Sequence, residues 1–158
     1  MSTEKTNYKN KRTLCHILIA DDRPERRINT SLVLSEELSQ CGIPNEIVTR
    51  RNGQEVYKDI MQLGNIYDIL ILDYGMPKLD GVSLVKKLRE NGYQGHIVML
   101  TGHWAGCVSA NVNGTYLAIG KEKGNTWVDG IFDIFDGGDR LKLVNLVKKI
   151  CSEKNCKV

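Results

Sequence analysis

Along this chain, short unbroken apolar runs alternate with stretches whose apolar residues recur at helical spacing. Leu14–Ala20, Tyr67–Asp73 and His96–Leu100 are too short for helices. Their continuous Ile, Leu and Val content marks strands buried on both faces. Glu46–Thr49 reads as a further, weaker strand. Pro24 suits the first turn of a helix whose stripe is Ile28, Leu32, Ser35 and Leu38, and Gly42-Ile43-Pro44-Asn45 ends it. Gln54–Leu63 is a second helix after the Asn52-Gly53 turn. Asp80 is placed to cap a third, Val82–Asn91, with Gly92 as terminator. Asp139–Lys149 is a last helix, with Leu143, Val147 and Ile150 on one face. Strands alternating with helices predict an α/β fold, a parallel sheet covered on both sides through right-handed crossovers.

Two of these strands end in acid: Asp21 and Asp22 close the first, and Asp73 closes another. Parallel sheets gather such ends at one edge, where ligands bind at the switch point of strand order. Carboxylates converging there repel one another, and a divalent cation with oxygen ligands is the usual remedy. The edge therefore predicts a Mg²⁺ pocket.

Composition narrows the setting. A chain of 158 residues, 41% apolar and 26% charged, suffices for one domain with its own core. Of the net charge of +3, all is carried by residues 1–13, where Lys5, Lys9, Lys11 and Arg12 stand against Glu4. A neutral body behind a short basic lead-in argues against a nucleic-acid reader. No apolar run is long enough to span a bilayer, and the N-terminus lacks the apolar segment of a signal peptide. Five cysteines, at 15, 41, 107, 151 and 156, show no zinc spacing. Cys15, inside a strand, is expected to act as a small hydrophobe in a reducing cytoplasm.

Three motifs sit at successive strand ends: Asp21-Asp22, then Asp73-Tyr74-Gly75-Met76-Pro77-Lys78-Leu79-Asp80-Gly81, then Met99-Leu100-Thr101-Gly102. In this order they resemble the receiver domain of two-component response regulators, over about residues 15 to 151. The resemblance implies a flavodoxin-like, doubly wound, five-stranded parallel sheet of order 2-1-3-4-5 with helices on both faces. It implies that Asp73 is the phosphoacceptor. Mg²⁺ (or Mn²⁺) would be held by Asp22, Asp73 and the Gly75 backbone carbonyl, with Asp21 acting through water. Thr101 would bond a phosphoryl oxygen and rearrange as the switch. Met76 and Pro77 would shape the loop, and Gly81 would ease packing at the helix start. The implied partners are a histidine kinase or histidine phosphotransfer protein and a downstream target protein, without nucleic acid or membrane.

The expected organisation is a lead-in at 1–13, a receiver at 14–151 and a tail at 152–158, too short for an output module. The expected function is that of a cytoplasmic single-domain response regulator that modifies itself and is no enzyme. Two other readings stay open. One is a pseudo-receiver, an interaction module without phosphotransfer; the other is a phosphatase or phosphotransferase with an aspartyl nucleophile on a different α/β fold.

One family feature is missing. Receivers carry a Lys-Pro step after the fifth strand, whose Lys contacts the phosphoryl group, yet the only prolines here are 24, 44 and 77. In one placement Thr115–Gly120 is the fifth strand, and Lys121 or Lys123 supplies the cation. In the other, favoured because Asp139-Arg140-Leu141 leads straight into the last helix, the strand is Trp127–Phe132. Asp133-Ile134-Phe135-Asp136 then replaces the Lys-Pro segment, and the site exchanges a positive charge for a negative one. The favoured placement predicts that Lys121→Ala and Lys123→Ala retain most phosphorylation in a phosphodonor assay that Asp73→Asn fails. A loss as deep as that of Asp73→Asn would restore the first placement.

Overall fold

The computed structural model describes residues 13–102, 128–133 and 137–156. Five parallel strands form one sheet of order β2-β1-β3-β4-β5: β1 Cys15–Ala20, β2 Asn45–Arg50, β3 Ile69–Asp73, β4 His96–Thr101 and β5 Gly130–Asp133. Around it lie α1 Pro24–Gln40, α2 Gly53–Leu63, α3 Gly81–Glu90 and α4 Gly137–Cys156. This is the flavodoxin-like arrangement the motifs imply. The fifth strand falls in the second of the two stretches considered for it; Thr115–Gly120, Lys121 and Lys123 lie outside the described residues.

The unbroken apolar runs are explained by two cores, one on each face. Leu18, Ala20, Leu70, Leu72, Ile97 and Met99 point to α2 and α3, against Val56, Ile60, Leu84, Val85 and Leu88. Their strand neighbours Ile17, Ile19, Ile69, Ile71, Val98 and Leu100 point to α1 and α4, against Leu34, Leu38, Leu143 and Val147. Alternation still operates, but with no polar face to display it.

Local chemistry sets the helix starts. Asn52 accepts from the Glu55 amide at 2.9 Å and Asp80 from the Ser83 amide at 2.9 Å, each capping its helix. Gly92, at φ +85°, follows the end of α3. The last helix is longer than its stripe suggests and runs through Ser152–Cys156, part of the expected tail.

The stripe assigned to α1 holds at Leu38 but not at Ile28 or Leu32. Leu34 and Leu38 are its buried residues, whereas Ile28 and Leu32 are 54% and 63% exposed. Leu32 stands about 120° around the helix from Leu38, while Arg27 lies on nearly the same side as Leu38. Arg27 Nη1 donates to the Asp21 carbonyl at 2.6 Å. The inward face of the first turns thus carries arginine, which an apolar stripe does not register.

Cys15 also departs from expectation. It is bonded to Cys151, 136 positions away, with the Cα atoms 5.7 Å apart and both side chains fully buried. The start of β1 and the end of α4 are neighbours, and the contact is extended by Lys154, which donates to Asp68 at 2.7 Å and to the Leu14 carbonyl at 2.9 Å. Closing so long a loop restricts the unfolded chain. Reductant should therefore lower the stability of the wild type by about 2–5 kcal/mol, and leave Cys151→Ala unaffected. Chemical denaturation with and without reductant measures this, and equal curves for the wild type would show that the bond does not form.

Candidate functional site

The sheet's carboxyl edge brings the acids together. Asp21 and Asp22 follow β1, Asp73 ends the adjacent β3, and each offers an oxygen within 4.8 Å of the others. Asp21 and Asp73 are 3% exposed, whereas Asp22 sits at the rim. The inner member of the pair is thus Asp21. Thr101, at the end of β4, is buried one strand further along, and Asp133 lies beside it in register on β5.

The loop after β3 is built to present Asp73. Met76 is buried in the core on the α2–α3 side, while Gly75 and Pro77 are exposed. Gly81 donates its amide to the Tyr74 carbonyl at 3.0 Å. A Cβ on Gly81 would stand 2.6 Å from the Asp73 carbonyl oxygen and 2.9 Å from Met99 Cε, so only glycine lets α3 start this close to the strand end. Among the described residues, a Cβ on Gly75 would meet nothing within 4 Å.

Electrostatics follow from this crowding. Burial, and then the charge of Asp21, push the Asp73 carboxyl up to about 6, against the pull of Arg26. Asp21 is likewise raised, chiefly by burial, although the Arg23 amide donates to it at 2.8 Å. The donor set is three carboxylate oxygens at close quarters, two of them in buried groups, which suits a hard divalent cation.

The family model for the response regulator receiver domain matches residues 17–114. This chain belongs to the response regulator receiver family. Among curated relatives, two-component response regulator 24 of Arabidopsis thaliana is 38% identical over 64 residues, 40% of this chain. That match spans 44% of the relative, less than half its length. The receiver domain of Francisella response regulator 1452 has a TM-score of 0.64 at 21% identity, covering 88% of this chain and 98% of that one. TrrA of Thermotoga maritima, solved in complex with Mg(2+)-BeF, is 30% identical with a TM-score of 0.57, over 86% of this chain and 98% of its own.

The receiver's acid pocket contains a residue that the sequence reading did not single out. Arg26, in the first turns of α1, donates through Nη2 to Asp73 Oδ2 at 2.9 Å and to Asp21 Oδ1 at 3.0 Å, and stands 3.8 Å from Asp22 Oδ1. The available signal was its position four residues after Asp22 on a helix opened by Pro24, a spacing at which charged side chains meet. At the other end of the site, β5 closes on Asp133 and not on lysine; Ile134–Asp136 and His103 lie outside the described residues. Among the described residues, no helix is long and apolar enough to cross a membrane.

Asp73 at about 6 in the folded receiver, against an ordinary value of 3.8, makes the folded state bind more protons than the unfolded state between those values. Its ionisation therefore costs stability as pH rises through that window. In metal-free buffer Asp73→Asn should be more stable than the wild type by about 1–3 kcal/mol at neutral pH, with the gain vanishing below about pH 4. Denaturation curves at several pH values test this, and a gain independent of pH would contradict it.

Proposed function

We propose that this receiver accepts a phosphoryl group on Asp73 from a histidine kinase or a histidine phosphotransfer protein and passes the signal on through altered protein contacts. The observation that carries the reading is the burial of Asp73 beside Asp21 and Asp22 at the carboxyl edge, where β1 and β3 are neighbours in the sheet. In the step, an Asp73 carboxylate oxygen attacks phosphorus as the P–N bond of the donor phosphohistidine breaks. The imidazole leaves with the bond's electron pair, and an acyl phosphate remains on Asp73. Positioning and charge neutralisation supply nearly all the catalysis in such transfers.

Asp22, Asp73 and the Gly75 carbonyl are the groups that would hold Mg²⁺ or Mn²⁺, with Asp21 acting through water. A bound ion would offset the repulsion between the Asp73 carboxylate and the incoming phosphate. Asp73 supplies the nucleophile, and the buried Thr101 is the hydroxyl assigned to a phosphoryl oxygen, so its rotation would couple the chemistry to the surface near β4 and β5. The resemblance to Thermotoga maritima TrrA, a structure containing Mg(2+)-BeF, supports the metal-dependent reading.

Asp133 at the end of β5 favours a second reading, an interaction module with no phosphotransfer, because the described strand ends on a carboxylate where receivers place a lysine. Intact mass after incubation with Mg²⁺ and a small phosphodonor separates the two. A single phosphoryl adduct on the wild type, lost without Mg²⁺ and lost in Asp73→Asn, is the expected result. No adduct from either a small donor or a phosphohistidine protein, with Mg²⁺ binding intact, would select the second reading.

A further inference from the structure

We propose that Arg26 is a built-in rival of the divalent cation: its guanidinium occupies the acid pocket when the ion is absent, and the ion binds only by driving it aside. The inference rests on the metal-dependent reading of the pocket and concerns how that site is regulated.

The geometry makes the competition direct. A single nitrogen, Nη2, lies 2.9 Å from Asp73, 3.0 Å from Asp21 and 3.8 Å from Asp22. These are the same three carboxylates that converge to within 4.8 Å. An Mg²⁺ ion holds its oxygens at about 2.0–2.1 Å and demands near-octahedral order. It has no room beside a nitrogen already seated among those oxygens, and two cations sharing them repel. The guanidinium also neutralises part of the acid cluster, so the pocket's pull on a second cation is weakened while Arg26 stays.

The resting position of Arg26 is a compromise. Its side chain is 19% exposed, and Nε is buried with no hydrogen-bond acceptor among the described residues. A buried, unsatisfied donor carries a desolvation cost that leaving the pocket would relieve. There is also space to move into. Arg26 lines a cavity of about 210 Å³ together with Asn29, Thr30, Phe132 and Asp133. A displaced guanidinium can therefore swing from the β1–β3 edge towards β5, where the wall carries a carboxylate. Ion entry would then be felt on the α1–β5 side of the molecule.

The test is a Mg²⁺ titration of the wild type and of Arg26→Met by calorimetry at mildly alkaline pH. It is combined with ¹⁵N NMR of the Arg26 Nε–H resonance in the wild type. Arg26→Met should bind Mg²⁺ roughly tenfold or more tightly, since the opposing charge is gone. The wild-type Nε–H resonance should shift in step with Mg²⁺ occupancy. Equal or weaker binding by a folded Arg26→Met overturns the inference and leaves the proposed function standing. So does a wild-type Nε–H resonance that stays put at saturating Mg²⁺, a result that needs no variant to fold. If neither protein binds Mg²⁺, the metal-dependent reading fails and the inference with it.

Discussion

Everything at this edge of the molecule depends on one electrostatic constraint: like charges held together with little water. Asp21 and Asp73 are almost wholly buried and share an arginine, with Asp22 at the rim. Desolvation raises both buried carboxyls; the charge of Asp21 adds to the rise at Asp73, and that of Asp22 to the rise at Asp21. A protein keeps such a cluster only if some cation answers it. Among the described residues that cation is Arg26, drawn from the first turns of α1. The helix is turned accordingly, with Arg26 and Arg27 reaching the end of β1 while Ile28 and Leu32 face solvent.

The rest of the fold serves to hold that edge still. Both faces of the sheet are sealed by apolar side chains, so the strand ends carrying the acids have no lateral freedom. The Gly81 contact draws α3 up against the Asp73 carbonyl, and the buried Met76 anchors the exposed turn between them. At the opposite end of β1, the Cys15–Cys151 bond ties the first strand to the last helix. Gly75, by contrast, is exposed, and a Cβ there would meet none of the described residues within 4 Å.

Among the described residues, the cation seated on the acids is an arginine four residues after Asp22, while β5 ends on Asp133. A lysine on β5 would sit beside incoming phosphate without occupying the acids. An arginine on α1 occupies them. On the proposed function, the difference bears on when the pocket is ready for metal, and on which helix registers its arrival.

The parallel α/β architecture was legible in the sequence, because a strand buried on both faces must be a short apolar run, and the runs at Cys15–Ala20, Ile69–Asp73 and His96–Thr101 are that. The cap at Asp80 was equally legible, being a local hydrogen bond within three residues, whereas Asn52, read as part of a turn, caps α2 in the same way. The acids at strand ends followed from the same logic, since a parallel sheet collects its carboxyl ends at one edge. Three things were settled only by tertiary structure. The inward face of α1 depends on which side of the helix meets Asp21, not on its most hydrophobic stripe. The Cys15–Cys151 bond joins residues 136 positions apart, a separation at which nothing local records proximity. Arg26 reaches across to Asp73, 47 positions further on, only because β1 and β3 are neighbours in the sheet. Local periodicity encodes what a segment buries, whereas the pairing of distant charges and thiols exists only once the segments have packed.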